Sequence, residues 1–432
     1  MHIKEQAYIP ILIDAYRSFG NSNHPAPLQG LNNGEIGALA KQVRAISLGL
    51  TRERKLAGVS YLDHSELLGA YLFYYWPISY RIATTLLASL LPDFMLHFQK
   101  TEFSQVSRSR STGFTSFRNP QLRGLDLGAG AGPFSFALLD AGVQDITAWE
   151  RSTKALKALE YLARKRGVHV KTQKVDLEKS FTLPEQTFHF ITLGYVLNEL
   201  WKQDPDRVQK RFQLIKSLLN LLEKEGKMIL VEPALPALSQ ELLYLRDLLT
   251  KEDLVWIQSP CFRQGNCPAL PEGTCHTSIP WHPPSLVREI GRRARIMDRT
   301  EVKFSYLVLC PQGSSSHPPF PSAVGENNPS VEGFPHRVVS DPLISKSGRT
   351  RYLLCGPLGR FSLSASGSSS SALGSSRMGK EIKTKGEGKK ESALEVFFSL
   401  RRGDVVTFFN LETRSNGYGV TDQTILKILQ RQ

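Results

Sequence analysis

The sequence predicts an α/β protein built on a parallel sheet with helices on both faces. Three observations carry this reading. Strand-like and helix-like segments alternate from residue 124 to residue 231, a glycine-rich turn joins the first strand to the first helix, and a carboxylate closes the second strand. Alternation of this kind is the pattern of sheets covered on both sides.

The elements follow in order. Residues 1–118 read as a helical region, with Ile36, Leu39, Ala40, Val43, Ile46 and Leu50 at helical spacing. Residues 67–94 continue as an apolar helix, interrupted at Pro77 and stopped near Pro92, and residues 104–117 form a Ser/Arg-rich basic loop. The central unit spans 119–310. Its strands fall at 124–127, 145–150, 168–175, 188–193 and 226–231, and its helices at 133–141, 152–166 and 209–222. Residues 259–284 break the pattern: rich in Pro, Gly and Cys, they carry no periodic apolar face and read as an insertion ordered by something other than a core. A Pro/Ser/Gly-rich linker occupies 311–336. Residues 337–432 form a small C-terminal β-unit, with strand-like segments at 352–355, 393–399 and 404–409. It carries a low-complexity insertion at 364–390, expected to be disordered.

Composition narrows the function. The formal net charge is +14 over 432 residues. An excess of Lys and Arg points to a polyanionic partner, because neutralised phosphates release condensed counterions. Nucleic acid leads, and an anionic membrane surface is the alternative. No apolar stretch follows a basic start, so no secretory signal is expected, and the start is not an Arg/Ser-rich transit peptide. The most apolar run, residues 67–80, falls short of the roughly 20 residues of a membrane span. A bacterial cytoplasm is the expected compartment, a mitochondrial matrix the alternative, and a monomer the expected state. Five cysteines make no disulfide scaffold and point to thiols or metal ligands.

The strongest motif is Asp126-Leu127-Gly128-Ala129-Gly130-Ala131-Gly132-Pro133. Glycines let the backbone turn tightly and approach a ligand without a Cβ clash. Glu150 ends the next strand, where a carboxylate accepts both ribose hydroxyls of a nucleoside cofactor. Asp176 follows the third strand and is placed to reach an adenine amino group. The set Asp126, Gly128, Gly130, Gly132, Glu150 and Asp176 resembles the class I S-adenosylmethionine-dependent methyltransferases. The competing reading, a dinucleotide oxidoreductase, requires a third glycine one place later than it stands. After the fourth strand, Asn198 and Glu199 are candidate catalytic groups, although they also suit the capping of a helix. The Asn/Asp-Pro-Pro-aromatic signature of amino-group methylases is missing there, as is a cysteine nucleophile.

Cys261, Cys267 and Cys275 lie within 15 residues, in the segment that lacks a core. Thiolates suit zinc or an iron–sulfur cluster. A fourth ligand is needed, and Cys355, Cys310 and His276 are the candidates.

Together these segments resemble the mitochondrial small-ribosomal-subunit family of methyltransferase-like protein seventeen and its bacterial relatives. The resemblance rests on residues 125–133 and 195–200, Val231-Glu232-Pro233, residues 261–276 and residues 304–309. It covers most of residues 60–310 and, more loosely, the C-terminal unit. It implies a methyltransferase fold that binds small-subunit rRNA during ribosome assembly, together with a [4Fe–4S] cluster on Cys261, Cys267, Cys275 and Cys355. Phe262-Arg263-Gln264-Gly265-Asn266 and Ala234 depart from the family pattern without removing a ligand. The expectation is therefore an rRNA-binding assembly factor. The alternatives are an active rRNA methyltransferase, and a small-molecule or protein methyltransferase with a structural zinc.

Basic residues expected to meet phosphate cluster at Arg108, Arg110, Arg118 and Arg123, at Arg164, Lys165 and Arg166, at Arg288, Arg292, Arg293 and Arg295, and along 380–390.

Overall fold

The computed structural model describes residues 4–19, 30–106, 121–271, 273–296, 300–314, 331–366 and 391–431. Arg108, Arg110 and Arg118, most of the basic loop, most of the linker and nearly all of the low-complexity insertion lie outside them.

Four α-helices open the chain: α1 (Lys4–Phe19), α2 (Asn33–Ser47), α3 (Ser65–Ala70) and α4 (Trp76–Val106). A capping box starts α2, with the Asn32 side chain accepting from the Glu35 amide and Glu35 reaching back to Asn32. A π-helical turn, Tyr71–Tyr75, joins α3 to α4. The expected interruption at Pro77 takes the form of this π-helical turn, which ends just before the proline that lacks an N–H. The expected stop near Pro92 does not occur: α4 runs on to Val106. Residues 104–106 are accordingly helix and not loop.

The central sheet contains β1 (Arg123–Leu127), β2 (Asp145–Glu150), β3 (Lys171–Lys174), β4 (Phe188–Gly194), β5 (Leu222–Pro233), β6 (Val255–Ser259), β7 (Thr277–Pro280) and β8 (Glu301–Pro311). The helices between them are α5 (Pro133–Asp140), α6 (Thr153–Lys165), α7 (Arg207–Leu219), α8 (Pro236–Lys251) and α9 (Ser285–Arg293). Strand order is β3-β2-β1-β4-β5-β8-β6, with β7 also paired to β8. The first five strands pair in parallel, and β8 runs antiparallel to β5 and β6. The chain reverses direction across the sheet at β1 and β4, the kind of switch point whose carboxyl-end crevice takes ligands in open α/β sheets.

Two apolar cores cover the sheet. On one face, α1 to α4 share a core with α5, α6 and α9; on the other, α7 and α8 close a second core. The N-terminal helices are thus one wall of the sheet domain and not an appendage. Tyr8 and Tyr80 donate to the Asp140 carboxylate at 2.7 and 2.5 Å, and Trp76 Nε1 donates to the Ala131 carbonyl at 3.0 Å. Hydrogen bonds to a charged acceptor contribute about 1.5–3 kcal/mol each, so α1 and α4 are held directly against the glycine turn and α5.

The C-terminal unit has its own core and a second sheet. Its strands are β9 (His336–Val338), β10 (Leu343–Ile344), β11 (Thr350–Gly356), β12 (Gly359–Ala365), β13 (Val405–Phe409), β14 (Glu412–Arg414), β15 (Gly417–Gly419) and β16 (Ile425–Gln430). Their order is β14-β15-β12-β11-β9-β13-β16, with β10 on β11. The strand expected at 393–399 is a helix, α10 (Ala393–Phe398). Its cause is local: Ser392 and Glu395 form a capping box that satisfies the first-turn amides, overriding the β-leaning Val396-Phe397-Phe398.

Candidate cofactor cavity and cysteine centre

A cavity of about 640 Å3 opens at the carboxyl ends of β1, β2 and β4. Asp126, Gly128, Gly130, Glu150, Asp176, Asn198 and Glu199 line it, with Tyr61, Tyr71 and Arg54 closing it from the helical side. A volume of this order suits a small organic cofactor. Gly132 is not part of the lining and packs against Leu159 and Phe136.

Asp126 builds the turn. Its Oδ2 accepts the Ser135 amide and hydroxyl at 2.9 and 2.6 Å, and its Oδ1 accepts the Thr192 hydroxyl at 2.8 Å. One carboxylate thereby ties the start of α5 to β4. Gly128 and Gly130 sit at φ +65° and +55°, the left-handed region that favours glycine. A Cβ on Gly128 would strike Val196, and one on Gly130 would stand 2.7 Å from the Tyr71 hydroxyl. Glu150 is buried, with Oε2 accepting the Gly130 amide at 2.9 Å and Oε1 the Ser152 amide at 2.8 Å. Asp176 is half-exposed at the mouth and accepts the Glu178 amide at 3.1 Å.

Beyond β4 the chain turns sharply, with Tyr195 at φ +64° and Trp201 at +50°. Backbone strain of this kind collects at functional sites. Asn198 Oδ1 accepts from Arg54 Nη1 at 2.8 Å, and its Nδ2 donates to the Tyr195 carbonyl at 2.9 Å. Glu199 pairs with Arg151 at 3.4 Å. Glu232, two percent exposed, accepts the Asn198 amide at 3.1 Å through Oε2, while its Oε1 is buried without a partner among the described residues. Burial pushes the Asp126 carboxyl up to about 6, Glu199 to about 7 and Glu232 to about 8, and it raises Glu150 as well. Three buried carboxyls and the half-buried Glu199 in and behind one cavity wall make an environment that a cation would relieve.

Sequence reasoning does not single out Arg54, Tyr71, Arg151 or Glu232 as site residues. Arg54 and Tyr71 lie in the N-terminal helical region, where no spacing rule connects them to the sheet. Glu232 stands within the Val231-Glu232-Pro233 segment, but its bond to Asn198 is a matter of tertiary structure.

The second site lies where the insertion meets the C-terminal unit. Cys261, Cys267, Cys275 and Cys355 line one small cavity together with His276 and Arg246, Arg263, Arg337 and Arg360. Cys267 N donates to both carboxylate oxygens of Asp247 at 3.0 Å, and the Cys275 carbonyl accepts from the Ser239 and Ser305 hydroxyls at 2.9 and 2.8 Å. Cys355 sits on β11, in register with Arg337 of β9 and Arg360 of β12. Burial pushes the Cys275 thiol up to about 12, with Cys261 and Cys267 adding to the shift, and raises Cys355 and Cys267. His276 is held down to about 4 by burial and then by Arg402 and Lys303. Cys310 is elsewhere: fully buried on β8, it takes Lys227 Nζ at 3.1 Å and faces Gln258. Among the described residues, no group of three or more His, Cys, Asp or Glu side chains is arranged to hold a single metal ion.

The basic clusters divide. Arg123 pairs with Glu223 at 2.6 Å; Arg166 pairs with Asp140 at 2.7 Å and Lys165 with Asp14 at 3.0 Å, fastening α1 to α6. On α9, Arg292 and Arg293 pair with Glu289, and Arg293 Nη2 also holds Asn33 at 2.9 Å. Arg288 and Arg295 are exposed, with no ion pair among the described residues.

The strand order, the antiparallel β8 and the glycine turn opposite a carboxylate on β2 define the class I S-adenosylmethionine-dependent methyltransferase fold. Within that class, residues 108–366 match the family described as mitochondrial small ribosomal subunit Rsm22, and the chain belongs to it. No curated protein matches the chain. Among solved structures, it is similar to the plantazolicin methyltransferase BpumL in complex with a pentazolic desmethylPZN analog and SAH. That match has 12% identity and a TM-score of 0.35, covering 65% of this chain and all of that one. It is also similar to the N-methyltransferase NodS from Bradyrhizobium japonicum, at 14% identity and a TM-score of 0.29 over 44% of this chain and 78% of that one. The ribosomal protein L11 methylase from Lactobacillus delbrueckii subsp. bulgaricus matches at 14% and 0.27, over 45% and 71%. Among the described residues, no helix is long and apolar enough to cross a membrane.

Proposed function

We propose that this chain is an rRNA-binding assembly factor of the small ribosomal subunit. In this reading it holds S-adenosylmethionine in the 640 Å3 cavity and an iron–sulfur cluster on Cys261, Cys267, Cys275 and Cys355. Family membership supplies the ribosomal association. The observation that favours assembly over catalysis lies after β4. There the polar atoms of Asn198 are consumed by Arg54, Tyr195 and Glu232, and Glu199 is paired with Arg151. A group so engaged orders the turn and is not poised to deprotonate a substrate.

The cofactor roles are assigned by position. Glu150 accepts the ribose hydroxyls, Asp176 meets the adenine amino group, and the glycine turn lets the methionine part approach the backbone. Asp126 shapes that turn. The buried carboxyls offset the positive sulfonium.

For the second site, four thiols from two chain units share one cavity, a donor set that suits zinc or an iron–sulfur cluster. The family resemblance favours a [4Fe–4S] cluster over zinc. When bound, such a cluster supplies a covalent clasp between the insertion and the C-terminal unit. The family description favours the mitochondrial matrix over a bacterial cytoplasm.

A second reading, an active rRNA methyltransferase, draws on Glu199, whose carboxyl at about 7 matches a general base at neutral pH. Incubating the full chain with labelled S-adenosylmethionine and immature small subunits decides between them. Co-sedimentation without label transfer supports the assembly factor, and stoichiometric transfer that Glu199→Gln abolishes establishes the enzyme.

A further inference from the structure

Among the described residues, three guanidinium groups at the cysteine cavity hold buried Nε–H donors with no hydrogen-bond partner: those of Arg246, Arg263 and Arg360. An unpaired buried donor costs about 1–3 kcal/mol. Three around one cavity form a pattern, and the remaining nitrogens of Arg246 hold its fork in place. Arg246 donates to the Gly265 and Arg263 carbonyls at 2.6 and 2.7 Å and pairs with Asp247. Terminal nitrogens of Arg263 lie 3.3 Å from where a Cβ would stand on Gly265 or Gly359, and Arg360 Nη1 lies 3.1 Å from that point on Gly273. Arg337, the fourth arginine of the wall, has its own partners in the Pro260 and Gly403 carbonyls at 2.9 and 2.8 Å.

The acceptor side chains gathered in the cavity that these arginines line are the four cysteine sulfurs and the His276 ring. A neutral thiol is a weak acceptor, and four thiolates without a metal would repel each other. Four thiolates on a cubane core of charge 2+ carry a net charge of −2, which three cations can balance in a buried place.

We infer that Arg246, Arg263 and Arg360 donate N–H···S hydrogen bonds to the iron–sulfur cluster, hold its negative charge in the interior and raise its reduction potential. This rests on the cluster reading above. Reduction adds one electron, takes the cluster with its thiolates from −2 to −3, and so strengthens each of these hydrogen bonds.

The test uses the full chain, purified without oxygen, beside R263Q, R360Q and R360K. Iron and sulfide are counted, and the midpoint potential is read by paramagnetic resonance during titration with dithionite. Each glutamine variant is expected to shift the reduced-to-oxidised ratio about tenfold toward the oxidised form, ~59 mV for one electron. R360K keeps the charge but not the directed Nε–H and is expected to fall between. Iron lost from a variant that keeps the native far-ultraviolet spectrum also supports the inference. Full iron with ratios within twofold of the parent in both glutamine variants overturns it. A parent chain that binds no iron overturns the cluster reading itself, and this inference with it.

Discussion

The Arg337 Nε atom, on the first strand of the C-terminal sheet, donates to the carbonyl of Pro260, the residue before the first cysteine of the insertion. The same guanidinium reaches Gly403, and it lies 5.6 Å from the centre of the Phe262 ring. One arginine therefore sews two units together beside the cysteine cavity. Replacing it with Met removes two hydrogen bonds from a charged donor, each contributing about 1.5–3 kcal/mol. Arg337→Met is expected to destabilise the chain by about 3 kcal/mol, read from the denaturant midpoint at unchanged slope. Hydrogen exchange should rise along β9 and β11 more than along β1 and β4. Uniform exchange across both sheets would show that the two units are not joined here.

The cysteines separate into ligands and a core thiol. Cys355→Ser should lower bound iron by at least half and leave the α/β core folded, because Cys355 stands on a different sheet. Cys310→Ala should keep the full iron content, since Cys310 sits in the β8 core against Lys227. It should still cost about 1 kcal/mol or more by leaving a buried lysine with one partner fewer. Iron retained in Cys355→Ser and lost in Cys310→Ala would reverse the ligand assignment.

The sequence discloses the sheet because its cues are local: the glycine turn, the carboxylate ending β2 and the apolar strands are each read within ten residues. The convergence of Asp126, Gly128, Gly130, Glu150 and Asp176 on one cavity follows from the topology that these cues imply. The spacing of Cys261, Cys267 and Cys275 leaves Cys355, Cys310 and His276 as equals for the fourth place. The fold removes Cys310 and keeps the other two at the cavity. Arg54 and Tyr71 are illegible in the sequence because helix-to-sheet packing decides which of many polar residues in the first 106 face the turn. The helix at 393–398 escapes for the opposite reason: a short capping signal outweighs an aromatic, β-branched run.

The buried carboxyls make ligand binding depend on pH with a definite sign. Asp126, Glu199 and Glu232 ionise at about 6, 7 and 8 in the folded chain, above their ordinary values, and burial is the cause. Between pH 5 and 8 these three carboxyls therefore hold more protons in the folded chain than in the unfolded one, and their contribution to the stability of the ligand-free protein falls as pH rises through this window. A cation in the cavity stabilises the ionised forms. S-adenosylmethionine carries the sulfonium charge and S-adenosylhomocysteine does not. The affinity ratio of the first to the second should rise about tenfold from pH 5.5 to 8.5, one pKa unit of coupling. Calorimetric titrations at the two pH values check this, with Glu150→Ala weakening both ligands alike. A flat ratio would mean that the sulfonium does not feel these carboxyls.

The last prediction separates arginines that bind RNA from arginines that hold the fold. Arg288 and Arg295 project from α9 and its end into solvent. Arg166 is as basic but spans Asp140 at 2.7 Å and the Tyr8 ring at 4.9 Å. Each phosphate left without its arginine lowers the slope of log affinity against log salt by about 0.7–0.9. The double variant Arg288→Gln/Arg295→Gln should therefore bind small-subunit rRNA with a slope shallower by about 1.4–1.8, at unchanged thermal midpoint. Arg166→Gln should do the reverse, lowering the midpoint by a few degrees at the parental salt slope. Filter binding at four salt concentrations beside a thermal scan reads both quantities. Equal slopes for all three proteins would move the RNA surface off α9 and onto another face.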